Sequence, residues 1–77
     1  MLKNELIAVL NNKNLVISDC LDTFQFIGFE DEYFILSDSN GDLYNFWFGE
    51  SVLSGNVLNT VCVDSDAEFI FSLNSAE

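Results

Sequence analysis

Arginine, histidine and proline are absent from these 77 residues, and lysine occurs only as Lys3 and Lys13. Each absence closes a class of function. Without arginine there is no planar fork to clamp a phosphate at two points. Without histidine there is no side chain whose ordinary pKa lies near neutral pH. Binding nucleic acid directly needs cations along the phosphates, and two lysines cannot offset 13 carboxylates. Catalysis lacks its usual parts too. Carboxylate pairs can do acid–base work, but 13 acids on a small domain create close pairs by chance. Cys20 has no histidine to activate it and no basic neighbour within six residues. The expectation is a protein that is not an enzyme and does not bind nucleic acid itself.

Long hydrophobic runs are missing as well. Leu6 to Leu10 is too short for a signal-peptide core, and no stretch approaches the roughly 20 residues of a membrane span. With Cys20 and Cys62 as the only cysteines, a cytoplasmic protein with two reduced, buried thiols is expected, and no membrane partner. Nine asparagines with no proline or arginine fit AT-rich coding, as in phages and low-GC bacteria.

What is present is apolar. The net charge of -11 accompanies a hydrophobic fraction of 49%, with eight Phe, two Tyr and one Trp. Disordered acidic tails are poor in aromatics, so this composition describes a folded domain with a negative surface. Charged residues make up 19%, below the usual value of about 25%, so bases are depleted rather than acids piled up. The length suits a single domain, residues 1–77, burying roughly 60% of its unfolded surface. Self-repulsion at this charge predicts stability that rises with ionic strength.

Leu2, Leu6, Ile7 and Leu10 recur at helical spacing, with Glu5 early and Lys13 late, which predicts a short helix over 2–11. Asn11 to Asn14 end it. Strand-like runs follow at 15–17, 24–29, 33–36, 43–48, 57–63 and 67–73, separated by polar breaks, and the last four residues are expected to fray. Asn40-Gly41 between two apolar runs is a strong hairpin signal. The fold class is therefore α+β, a short N-terminal helix packed on a curved antiparallel meander of five or six strands. Phe24 and Phe26 alternate against Ile27 and Phe29, and Phe46 and Phe48 against Trp47, giving strands apolar on both faces. Such strands need two covers. The helix supplies one, and either curling of the sheet or a second copy in a homodimer supplies the other.

The run Gly28-Phe29-Glu30-Asp31-Glu32-Tyr33-Phe34-Ile35-Leu36, set behind a helix, resembles the Sm-like small barrels over residues 5–48. The resemblance implies a curved sheet. The basic and polar RNA-contacting residues of that family have no counterpart here, so it implies shape alone.

The acids gather at the breaks. Asp38, Asn40 and Asp42 occupy the first, third and fifth places of a calcium-loop pattern, but Leu43 stands where glycine is needed and Gly49 where the bidentate glutamate belongs. A solvated hairpin is expected there, with no metal and no cofactor. In a meander with Leu15 to Ile17 as strand one, and with the breaks at 30–32 and 64–68 taken as those after strands two and four, Glu30, Asp31 and Glu32 share one end of the sheet with Asp64, Asp66 and Glu68. Asp19 and Asp22 then lie at the other end beside Asp38 and Asp42. Asp is a turn former, which explains acids in turns but not why bases are missing from them, since mixed-sign surfaces are the usual soluble solution.

A negative surface suits a positive partner. The leading expectation is an acidic binding protein that occupies the basic groove of a nucleic-acid-binding enzyme and inhibits it, in the manner of phage anti-CRISPR or anti-restriction proteins. Glu30, Asp31, Glu32, Asp38, Asp42, Asp64, Asp66 and Glu68 would be the partner-binding residues. The alternatives are an immunity protein or antitoxin neutralising a basic nuclease toxin, and an acidic structural or adaptor domain.

Overall fold

The computed structural model describes residues 2–76. Helix α1 spans Lys3–Leu10 and buries Leu6 and Leu10, one turn apart on one face. It is two residues shorter than its apolar spacing predicts. Leu2, expected on the packed face, is the N-cap and is exposed, and Lys13 lies beyond the last turn, which holds no base. Eight residues make too short a helix to persist alone, so packing through Leu6 and Leu10 holds it.

Seven strands follow: β1 (Leu15–Ser18), β2 (Thr23–Phe29), β3 (Tyr33–Asp38), β4 (Leu43–Trp47), β5 (Val52–Ser54), β6 (Val57–Val61) and β7 (Glu68–Ser75). They form one antiparallel sheet in the order β4-β3-β2-β1-β7-β6-β5. The chain is thus α+β, with seven strands rather than five or six. The extra strand is β5, inside the stretch 49–55 that reads as a break. It pairs with β6 through the two-residue loop Gly55-Asn56, in which only Gly55 has positive φ, at 60°. Glycine at that first loop position is what such a hairpin asks for. Nor is the sheet a simple meander, because β7 returns to pair with β1 from Leu15↔Ser75 to Ser18↔Ser72. That pairing orders Asn74 and Ser75, and the amide of Ala76 donates to the carbonyl of Asn14 at 2.7 Å. Fraying is therefore not seen from 74 to 76, and Glu77 lies outside the described residues.

A β-bulge corrects the expected alternation. The β2–β3 register shifts between Phe26 and Gly28, so Phe26 faces Leu36 while Phe29 faces Phe34. The extra residue, Ile27, is 51% exposed. Directly opposed residues share a face, so Phe24, Phe26 and Phe29 all pack on the core, where strict alternation would turn Phe29 outward. The bulge also bends the strand.

That bending lets the sheet curl into a half-barrel. Phe46 in β4 bridges to Cys62 just past β6, and the amide of Val63 donates to the carbonyl of Asn45 at 2.8 Å. Curling supplies the second cover for the aromatic strands. The curvature implied by the likeness to Sm-like barrels is present. Inside, Phe34, Phe46, Phe71, Leu36 and Leu58 are fully buried together with Leu6. Phe46 stands edge-on to Phe69 and Phe71, with ring centroids 5.1 and 5.3 Å away, and Phe24 meets Phe71 at 5.0 Å. Each fully buried side chain of this size stabilises by about 1.5–3 kcal/mol, and each ring pair adds about 0.5–1.5 kcal/mol.

Strand direction decides where the turns fall. β4 and β5 are each three antiparallel steps from β1, along opposite sides of the sheet, so they run the same way. The connection 48–51 is a kink and not a reversal. The amide of Ser51 donates to the Phe48 carbonyl at 3.0 Å, and the Ser51 hydroxyl bonds both the Trp47 carbonyl (2.6 Å) and the buried Thr60 hydroxyl (2.7 Å).

Candidate partner-binding surface

Because β4 and β5 are parallel, the β6–β7 turn falls at the same end as the β1–β2 and β3–β4 turns. Asp64, Asp66 and Glu68 therefore join Asp19, Asp22, Asp38 and Asp42 at the far end of the half-barrel. They do not join Glu30, Asp31 and Glu32, which lie at the helix end. The break at 64–66 follows the fifth apolar run and not the fourth, so alternation of those runs already puts it with the β1–β2 and β3–β4 turns. The added strand β5 leaves this unchanged because it runs the same way as β4.

The far end is built from carboxylate-capped turns. Asp19 Oδ1 accepts from the amides of Leu21 and Asp22, both at 2.8 Å. Asp38 Oδ1 accepts from the amides of Asn40 and Asp42, both at 2.9 Å, and its Oδ2 accepts from the Tyr44 hydroxyl at 3.1 Å. Aspartate favours turns because its side chain can satisfy the backbone two residues on. Gly41, at φ 87°, completes the β3–β4 turn, and the amide of Gly41 donates to the Asp38 carbonyl.

Asp22 ties two turns together. Its Oδ2 accepts from the Ser39 hydroxyl at 2.9 Å and from the Ser39 amide at 3.3 Å, and its Oδ1 from the Thr23 amide at 2.8 Å. The Ser39 hydroxyl, then the Thr23 amide, hold the Asp22 carboxyl below the usual aspartate pKa. Tyr44 moves the other way. Its hydrogen bond to Asp38, and then the charge of Asp38, push its hydroxyl above the usual tyrosine pKa. The Asp38 bonds fit a carboxylate used by its own turn. Among the described residues, no three His, Cys, Asp or Glu side chains converge where a metal could sit.

The eight sequence-derived site residues thus divide. Asp38 is engaged by its turn. Asp42, Asp64, Asp66 and Glu68 are exposed. Asp66 sits at φ 55°, a left-handed conformation that aspartate tolerates. Glu30, Asp31 and Glu32 are exposed in the β2–β3 turn, at the opposite end.

At the helix end the Lys3 ammonium donates to the Asp31 carbonyl at 2.7 Å and lies 4.9 Å from the centroid of the Phe29 ring. Lys13 lies in the turn that enters β1, also away from the far end. Seven carboxylates consequently occupy the far end with neither lysine beside them. A hollow of about 410 Å³ opens at the helix end between the β2–β3 turn and the β4–β5 kink, lined by Lys3, Asp31, Glu32, Trp47, Gly49 and Glu50 among others. Glu50 was not among the sequence-derived site residues. Reading Gly55-Asn56 as a hairpin would have placed it at the mouth of a strand.

No match to this chain is found among protein-family models, curated proteins or solved structures.

Proposed function

We propose that this chain is an acidic binding protein that inhibits a nucleic-acid-binding enzyme by occupying its basic groove. The observation that carries the reading is the far end: seven carboxylates, several held in place by backbone hydrogen bonds, with both lysines elsewhere. The hydrogen bonds to Asp19, Asp22 and Asp38 shape the turns that carry the other carboxylates, and a single-signed surface steers association with a basic one.

Scale supports the reading in sign and in approximate density. A duplex as long as the molecule's longest dimension, 32 Å, carries about 19 charges, against a net -11 here. Asp42, Asp64, Asp66 and Glu68 are the proposed contact carboxylates at this end, with Asp38 holding its turn. Glu30, Asp31 and Glu32 form a second negative surface at the helix end. The free thiols of Cys20 and Cys62 support a cytoplasmic setting. No helix of the described residues is long and apolar enough to cross a membrane.

The test is affinity capture from the natural host, followed by displacement with the captured protein's own DNA or RNA. The expected result is a basic nucleoprotein that nucleic acid releases, and that the quadruple variant Asp42→Asn, Asp64→Asn, Asp66→Asn, Glu68→Gln no longer captures. A partner retained by that variant, and indifferent to nucleic acid, would overturn the reading and favour an adaptor domain with apolar contacts. A single captured nuclease toxin, encoded beside this chain, would replace it with an immunity protein.

A further inference from the structure

We infer that the hollow between the β2–β3 turn and the β4–β5 kink is a seat for one basic side chain, an arginine or a lysine, of the partner protein. This rests on the reading of a basic partner and adds a second contact, at the helix end opposite the seven carboxylates, where one of the partner's residues is gripped.

The hollow differs from the other acidic hollows, which are walled by Phe69, in being walled by the chain's one tryptophan. Trp47 lines it together with Glu32 and Glu50, and tryptophan is the best aromatic partner for a cation. Its sides are held by the backbone. The amide of Phe48 donates to the carbonyl of Glu32 at 2.9 Å, tying the two loops together. The Ser51 hydroxyl fixes the Trp47 carbonyl at 2.6 Å. Glu32 and Glu50 therefore flank the opening on anchored segments, each exposed.

Open space is kept there. A Cβ at Gly49 would meet nothing within 4 Å, and Gly49 does not have the positive φ that requires glycine. Neither crowding nor backbone conformation accounts for the glycine, and its bare backbone leaves room at the hollow.

This corner already holds an ammonium. Lys3 reaches 28 residues along the chain to bond the Asp31 carbonyl, and its charge lies over the Phe29 ring. The pairing shows that this end of the sheet accommodates a cation between a ring and an oxygen. Lys3 leaves the adjoining Trp47 side unneutralised: Asp31, Glu32 and Glu50 face one lysine, and a single incoming cation reduces that imbalance.

Trp47 is the chain's one tryptophan, so its fluorescence reports the hollow alone. The whole protein is titrated with a capped tri-arginine peptide and with the same peptide made of citrulline, which keeps the shape and loses the charge. Saturable quenching by the arginine peptide only is expected. Glu32→Gln with Glu50→Gln should weaken it by about tenfold. The quadruple far-end variant, which removes four charges instead of two, should weaken it less. Gly49→Leu fills the hollow without changing charge and should weaken it too. Equal quenching by the citrulline peptide, unchanged affinity in the Glu32/Glu50 or Gly49 variants, or a larger loss in the far-end variant would each overturn the inference. If those results accompany a partner that nucleic acid still displaces, the hollow fails as a seat while the proposed function stands.

Discussion

Phe29 stands directly across from Phe34 in the β2–β3 ladder, ring centroids 6.0 Å apart, because Ile27 bulges out of the register between them. The bulge turns an apparently two-faced apolar strand into one whose phenylalanines share the core. Deleting Ile27 removes only the extra residue and leaves Phe24, Phe26 and Phe29 alternating onto one face, so it should be tolerated far better than deleting Gln25, which puts Phe24 on the face opposite Phe26 and Phe29. The Gln25 deletion should cost about 1.5–3 kcal/mol, that of exposing a phenylalanine. Ile27→Ser should stay within about 0.5 kcal/mol. Urea unfolding followed by Trp47 fluorescence compares them, and an Ile27 deletion as costly as the Gln25 deletion would contradict the role of Ile27 as the extra residue.

Asp38 and Asp42 sit in one turn but do different work. Asp38 accepts two amide hydrogen bonds through one oxygen, so Asp38→Ala should destabilise by about 1–2 kcal/mol. Asp42 contributes charge, and Asp42→Ala should be neutral or slightly stabilising at low salt. Any gain should fade as added salt screens the repulsion. Thermal melts at two salt concentrations check this, and equal losses in the two variants would count against it.

The pH dependence has two limbs. The Asp22 pKa is lowered by folding, so its contribution is complete above the ordinary aspartate value, about 3.9, and is lost as pH falls through the lower folded one. The Tyr44 pKa is raised, so its contribution is complete below about pH 10 and is lost as pH rises through the higher folded value. Ser39→Ala should return the Asp22 midpoint toward the ordinary value in a carbon-detected NMR titration, and Tyr44→Phe should flatten the alkaline limb of stability. An Asp22 midpoint unmoved by Ser39→Ala would show that the Ser39 hydroxyl is not its main cause.

The cysteines should separate chemically. Cys62 is 4% exposed and Cys20 lies on the surface, which corrects the sequence expectation of two buried thiols. A thiol reagent should modify Cys20 in the native protein and reach Cys62 only after unfolding. Cys62→Ser should cost about 1–3 kcal/mol, and Cys20→Ser almost nothing. Two thiols reacting at the same rate would contradict the burial of Cys62.

Much of the fold is legible because each element carries its own punctuation. Leu6 and Leu10 mark the helix, Asn40-Gly41 the hairpin, and six of the seven strands are apolar runs between polar breaks. What escapes is non-local or very short. The β1–β7 pairing joins segments more than 50 residues apart, and no local signal prescribes it. β5 has three residues, too few for periodicity to register. The positions of the acids along the chain are plain, but their positions in space depend on strand direction. The break at Asp64 follows the fifth apolar run, and the kink at 48–51 keeps β5 in the direction of β4, so Asp64, Asp66 and Glu68 fall at the end opposite Glu30. Trp47 reads as one more aromatic of a strand, and only the kink at 48–51 shows that it lines one hollow with Glu50.

The central claim is that a single-signed end of this molecule docks on a basic partner, and the salt dependence of binding tests it most directly. The dissociation constant for the captured partner is measured across a range of salt concentrations with the wild type and with the quadruple Asp42, Asp64, Asp66, Glu68 variant. The account predicts a steep weakening with salt for the wild type, and a shallower slope with lower affinity for the variant. Equal slopes and equal affinities in the two proteins would contradict it.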